Sequence, residues 1–207
     1  MSDLSPFWDK LADKYASKPI ADQTAYRTKL ARTQEFLRPD MELLEFGCGT
    51  GGTAIEHAPH VRHIRAIDFS ENMLAHARHR AQQAGVTNVT FERGDIGAMS
   101  IAPESYDIVL GLSVLHLLEN RDAVIGKVFD ILKPGGRFVS STACIGDSMR
   151  ALSVIAPIGK WLGKLPHLDI MTRDDLRRSM TRAGFTIEHD WRPSKIAAVF
   201  LVARKPL

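Results

Sequence analysis

Cysteine is scarce in this 207-residue chain: only Cys48 and Cys144 occur, neither in a CxxC pair nor at ligand spacing from a histidine. That argues against a disulfide framework and against a zinc site, and reduced thiols are expected. Long apolar runs are missing too. The longest nearly apolar stretch, Ile108 to Leu118, is interrupted by Gly111, Ser113 and His116, far short of the roughly 20 residues a spanning helix requires. Met1 to Asp13 carries acids and lacks the basic-then-apolar order of a secretory leader, so a cytoplasmic address is expected. Internal repeats and low-complexity runs are absent as well.

What is present is ordinary globular composition, with 44% hydrophobic and 25% charged residues. At about 150 residues per domain, the whole of residues 1–207 reads as a single domain with a real core. The formal charge of +3 is unevenly spread. Residues 1–149 hold 16 basic against 19 acidic side chains, and residues 150–207 hold 11 against 5, so the C-terminal part carries +6. A solvated surface explains this, and so does an anionic substrate or membrane surface.

From about Met41, short apolar runs alternate with helical patterns. The expected strands are Met41–Phe46, His63–Ile67, Val89–Glu92, Tyr106–Leu110, Arg137–Ser141, Thr186–His189 and Ile196–Ala203. The expected helices are Gly52–Ala58, Glu71–Ala84, Arg121–Leu132 and Arg173–Ala183. Strands this short and apolar, separated by helices, mark a parallel sheet covered on both faces, and right-handed crossovers make it a doubly wound α/β fold. Ser70 is placed to cap one helix and Gly85 to close it, and Gly184 closes another. Lys133-Pro134-Gly135-Gly136 reads as a hard stop followed by a turn. No helix separates the last two strands, so they should pair antiparallel. Two segments stand outside the alternation. Residues 1–38 read as an N-terminal helical lid with Phe7, Trp8, Leu11 and Tyr15 among its large apolar residues. Residues 144–171 read as an inserted amphipathic lid carrying Trp161, Lys160 and Lys164.

The strongest chemical signal is Glu45-Phe46-Gly47-Cys48-Gly49-Thr50-Gly51-Gly52 at the end of the first strand. Glycines there permit a tight turn and let a ligand approach the main chain, because no Cβ intervenes. Gly47, Gly49 and Gly52 satisfy the dinucleotide spacing GxGxxG, while Glu45, Gly47, Gly49 and Gly51 satisfy acid-x-G-x-G-x-G. Asp68 follows some 20 residues on, where an acid can accept two ribose hydroxyls. Asp95, in Gly94-Asp95-Ile96, ends the third strand, where its carboxylate and the Ile96 amide could meet an adenine edge.

Taken in order, Glu45 to Gly51, Asp68, Gly94-Asp95-Ile96, Tyr106-Asp107-Ile108-Val109 and Leu132-Lys133-Pro134-Gly135-Gly136 resemble the successive motifs of class I S-adenosylmethionine-dependent methyltransferases. The likeness covers roughly residues 41–142, with the terminal Ala183-Gly184-Phe185 and the last hairpin extending it; residues 172–207 are read as the last helix and that β-hairpin. It implies a Rossmann-like seven-stranded sheet, mostly parallel, whose last strand slots antiparallel between its neighbours. It implies S-adenosyl-L-methionine as methyl donor and S-adenosyl-L-homocysteine as product. Glu45, Gly47, Cys48, Gly49 and Gly51 would form the cofactor turn, the glycines facing the methionine part. Asp68 would take the ribose, Phe69 and Met73 the adenine faces, and Asp95 with Ile96 the adenine edge. Leu112 and Ser113 would sit beside the sulfonium, and Tyr15 resembles an aromatic that closes over the cofactor.

Displacement at a sulfonium methyl needs alignment and a dry pocket, and a base only if the nucleophile arrives protonated. His116 is the histidine nearest the expected mouth, and its titration range suits that role. The basic, amphipathic lid points to a small, apolar or lipid-like acceptor and a weak membrane-surface contact. An NAD(P)-dependent oxidoreductase shares the glycines and Asp68, but Tyr15, Tyr26 and Tyr106 are followed four residues on by Pro19, Leu30 and Leu110, so the Tyr-x-x-x-Lys pair is missing. A non-catalytic S-adenosylmethionine-binding protein is the other alternative. Nucleic acid is not an expected partner, since no Asn-Pro-Pro-aromatic or Asp-Pro-Pro-aromatic tetrapeptide occurs.

Overall fold

The computed structural model describes residues 5–147, 168–194 and 196–207. Its strands are β1 (Glu42–Phe46), β2 (His63–Asp68), β3 (Val89–Arg93), β4 (Tyr106–Leu112), β5 (Leu132–Thr142), β6 (Thr186–Trp191) and β7 (Val199–Arg204). They form one sheet in the order β3-β2-β1-β4-β5-β7-β6. Strands β1 to β5 pair in parallel, and β7 runs antiparallel to both β5 and β6. The helices are α1 (Ser5–Ser17), α2 (Gln23–Gln34), α3 (Gly52–His57), α4 (Glu71–Gln83), α5 (Arg121–Ile131) and α6 (Arg173–Arg182).

Alternation along the strands divides the core in two. Leu44, Phe46, Val109, Phe138 and Leu201 face one side, with Ile125 and Val128 of α5 and Leu176 and Met180 of α6. Leu43, Ile64, Leu110, Val139 and Phe200 face the other, with Ala54 of α3 and Leu74 of α4. A parallel sheet needs both covers, because each of its faces is apolar. Helix boundaries follow local chemistry. Ser70 Oγ accepts the Met73 amide at the start of α4, and Thr172 with Asp175 forms a reciprocal capping box at the start of α6. Gly85 and Gly184, both at positive φ, follow the ends of those helices.

One expectation changes. Lys133 to Gly136 is not a turn ahead of a separate strand, because β5 begins at Leu132. Tyr106 pairs with Leu132 and Ile108 with Arg137, so the Lys-Pro-Gly-Gly segment bulges out of the ladder. Pro134 sits in that bulge, where a missing N–H breaks no pairing. The two strands of the last hairpin are also displaced, ending at Trp191 and resuming at Val199.

The chain winds from β1 outward to β3, then crosses back to β4 on the other side of β1. Connections leave β1 and β4 in opposite directions, which opens a crevice at their C-terminal ends. The inserted lid expected over residues 144–171, including Lys160, Trp161 and Lys164, falls mostly on residues 148–167 and lies outside the described residues.

Candidate active site

A cleft of about 440 Å³ opens at that crevice, within the size range of small-molecule sites. The ends of β1, β2, β3 and β4 supply its floor. Gly47 and Gly49 come from the first turn, Asp68 and Phe69 from the second strand end, Asp95 and Ile96 from the third, and Leu112 and Ser113 from the fourth. Met73 reaches in from α4, Tyr15 from α1, and His116 from the turn after β4.

The glycine turn is built as its spacing requires. Gly47, Gly49 and Gly51 all have positive φ, at 64°, 53° and 75°, which side-chain-bearing residues rarely adopt. The turn closes through the Gly51 amide to the Cys48 carbonyl at 3.0 Å. The glycines then diverge in role. A Cβ on Gly49 would project toward open space, its nearest neighbour being the Tyr15 ring at 3.9 Å. A Cβ on Gly51 would run into Ala77 and Phe91 at 2.8 and 2.9 Å. Gly51 is therefore small so that α4 and β3 can pack against the turn, and it lies outside the cleft lining.

Asp68 organises the centre. Its Oδ2 accepts the Gly49 amide at 2.8 Å and its Oδ1 accepts the Ser70 amide at 2.9 Å. A carboxylate has about four lone-pair sites, so these amides leave it acceptor capacity toward the cleft. Burial raises the Asp68 pKa above the ordinary carboxylate value, opposed by the amides of Ser70, Gly49 and Phe69. Asp95 is folded into a local turn, its Oδ1 accepting the Gly97 amide at 2.8 Å. Ser113 is the strained member of the lining, with φ at 58°. Its amide donates to the Ser141 carbonyl at 2.7 Å, and the Ser141 hydroxyl in turn accepts Lys29 Nζ of α2 at 2.8 Å. Such strain persists only where surrounding contacts enforce it.

Glu45 and Cys48 stand behind the turn rather than in the cleft. Both are buried, and Cys48 belongs to the core on the α3 and α4 side. Burial, reinforced by the charge of Asp68, lifts the Glu45 carboxyl to about 8, and its Oε2 has no hydrogen-bond partner among the described residues. His116 lines the cleft with its Nδ1 buried and unpartnered among the described residues. Burial lowers its pKa, which keeps the ring neutral at neutral pH.

Sequence reasoning missed several lining residues: Trp8, Val114, Leu117, Leu118 and Glu119. Trp8 had a legible signal. It stands seven residues before Tyr15, two turns along one face of α1, so an aromatic at one position implicates the other. The remainder lie just past β4, in and around a single 3-10 turn, Leu115–Leu117, too short to show a periodicity. Among the described residues, no group of three or more His, Cys, Asp or Glu side chains gathers where it could hold a metal ion. Nor is any described helix long and apolar enough to cross a membrane.

The sheet order, the antiparallel β7 and the cleft at the glycine turn define the fold of class I S-adenosylmethionine-dependent methyltransferases, whose methyl donor is S-adenosylmethionine. Residues 37–184 match the family model described as methyltransferase domain, and the chain belongs to that family. The oxidoreductase reading, left open by the glycines and Asp68 alone, falls with that assignment. Among similar curated proteins is an uncharacterised methyltransferase, YcgJ, of Bacillus subtilis, 27% identical over 139 residues that cover 67% of this chain and 54% of the relative. A demethylmenaquinone methyltransferase of Leptospira interrogans is 36% identical over 104 residues, covering 48% of this chain and 42% of the relative. The chain thus spans about half the length of the curated relatives it matches. Among solved structures, the cyclase SpnF superposes with a TM-score of 0.78 at 17% identity, over 99% of this chain and 95% of that one. At that identity the likeness concerns the fold.

Proposed function

We propose that this chain transfers a methyl group from S-adenosylmethionine to a small, apolar or lipid-like acceptor. The observation that carries the reading is the convergence of Gly49, Asp68, Asp95 and Ser113 on one cleft at the topological switch of the sheet. The residues fit such a donor: open space above Gly49 suits a ligand pressed against backbone, and the Asp68 carboxylate retains acceptor capacity for ribose hydroxyls. Gly47 and Gly49 would hold the methionine part. Phe69 and Met73 would flank the adenine, and Asp95 with Ile96 would meet its edge. Bound there, S-adenosylmethionine supplies an electrophilic methyl with a neutral thioether as leaving group.

The protein's own contribution is alignment and exclusion of water. Trp8, Leu112, Val114, Leu117 and Leu118 wall the cleft with apolar surface, which supports an uncharged or amphiphilic acceptor. His116 is the neutral imidazole within this wall and is assigned as the group that takes a proton from the acceptor. The relative from Leptospira is named a demethylmenaquinone methyltransferase, a name in keeping with a hydrophobic acceptor. A test combines calorimetry with S-adenosylhomocysteine and turnover against a panel of phenolic, isoprenoid and amino-acid acceptors. Binding of the nucleoside with turnover confined to the polar amino-acid members would overturn the acceptor class and leave the donor site standing. A protein that binds the nucleoside and methylates no member of a broad panel would favour a non-catalytic binding role.

A further inference from the structure

Helix α1 carries Trp8 and Tyr15 to the cleft, yet only Ser5 and Ala12 of its residues are buried. Apolar packing alone is a weak hold for such a helix. A row of polar contacts to α4 supplies the rest, at Asn72, His76 and Arg80, which lie four residues apart along one face. At one end, Asp9 Oδ1 accepts the Ser70 hydroxyl at 2.5 Å and the Asn72 amide at 3.2 Å. In the middle, His76 Nε2 and Asp13 Oδ1 are 2.8 Å apart. At the other end, Arg80 Nη2 donates to the Ala16 carbonyl at 2.6 Å.

Arg80 does more than fasten the helix. Its second amino group, Nη1, donates to Thr50 Oγ1 at 2.7 Å, and Thr50 is buried between Gly49 and Gly51 in the glycine turn. One guanidinium therefore joins the last turn of the helix above the cleft to the turn that forms its floor. The planar fork offers two amino groups at a fixed angle, which lysine cannot reproduce.

We propose that Arg80 is a positioning residue that couples the seating of α1, with Trp8 and Tyr15, to the conformation of the glycine turn. The inference rests on the reading that this cleft binds S-adenosylmethionine, and it adds how the cleft is closed. A ligand that fixes the turn fixes Thr50, hence Arg80, hence the end of α1. By reciprocity, a firmly seated α1 holds the ligand longer.

The experiment compares the unaltered protein with Arg80→Met, Thr50→Val and the double variant. Calorimetry and stopped-flow release measure S-adenosylhomocysteine affinity and dissociation, and amide hydrogen exchange follows residues 5–17 with and without that ligand. Each single variant should bind about tenfold more weakly, mainly through faster release. The double variant should be no weaker than the weaker single, because both remove one bridge. The ligand should slow exchange in residues 5–17 of the unaltered protein and fail to do so in the variants. Thr50→Val leaves α4 untouched, so it carries the test should Arg80→Met melt early. Unchanged affinity and ligand-slowed exchange in Thr50→Val would overturn the coupling while the donor site stands. No binding of S-adenosylhomocysteine by the unaltered protein would overturn the donor site and the coupling together.

Discussion

The Asp68 carboxylate accepts the amide of Gly49 at 2.8 Å, so the acid that ends β2 and the tip of the turn that follows β1 form one rigid unit. Chain separation hides this, since the two stand nineteen positions apart in the sequence. The contact holds the backbone at a left-handed φ while leaving the carboxylate's outer lone pairs toward the cleft.

Asp68→Ala should therefore weaken S-adenosylhomocysteine binding twice over, through lost ligand hydrogen bonds and through a loosened turn. Hydrogen bonds to a charged acceptor contribute about 1.5 to 3 kcal/mol, or roughly tenfold to a hundredfold in affinity. Calorimetry reads the change directly. Unaltered binding would remove Asp68 from the ligand site.

The glycines of the turn should separate by phenotype. Gly49→Val places a branched side chain toward the cleft, so binding should vanish while the backbone strain costs about 1 to 3 kcal/mol. Gly51→Val adds a collision with Ala77 and Phe91, and overpacking contributes a further 1 to 3 kcal/mol or so. Thermal unfolding should rank Gly51→Val well below Gly49→Val. The reverse order would mean that the two glycines have exchanged roles.

Glu45 should give stability a pH dependence opposite to that of a paired surface carboxylate. Its pKa stands near 8 in the fold against 4.5 for an unperturbed side chain, so the folded state holds the extra proton between those values. Its stabilising contribution is complete below about 4.5 and is lost as pH rises toward 8. Glu45→Gln, a neutral isostere, should flatten the stability profile across this window and be more stable than the unaltered protein at pH 8. A profile with the same slope in both proteins would place the titration elsewhere.

His116 should show as a base through its pH profile. Because burial lowers its pKa below 6.5, the neutral form prevails at neutral pH and turnover should fall only toward acid. His116→Gln should lower kcat by about 10² to 10⁴ and abolish that acid limb, with KM for the donor little changed. A drop in melting temperature with kcat intact would make His116 a packing residue.

The order of elements, the parallel sheet, the antiparallel last strand and the glycine turn with Asp68 and Asp95 were legible in the sequence by itself. Each is written in short-range chemistry: apolar runs of strand length, caps such as Ser70, and glycines where φ must be positive. Tertiary structure alone decided which of those residues share a cleft. Gly51, Cys48 and Glu45 sit within the same ten residues as Gly47 and Gly49, but the side chains of Glu45 and Cys48 are buried behind the turn and Gly51 is packed against Ala77 and Phe91, placements that spacing does not record. Lys133 to Gly136 read as a stop because Pro and Gly end regular structure locally, whereas the pairing of Tyr106 with Leu132 across the sheet turned the segment into a bulge within one strand. The bond from Arg80 to both Thr50 and Ala16 lies further still from sequence reading. It joins elements thirty and sixty-four residues apart, and only the packing of α1 across α4 brings their polar groups within reach of one guanidinium.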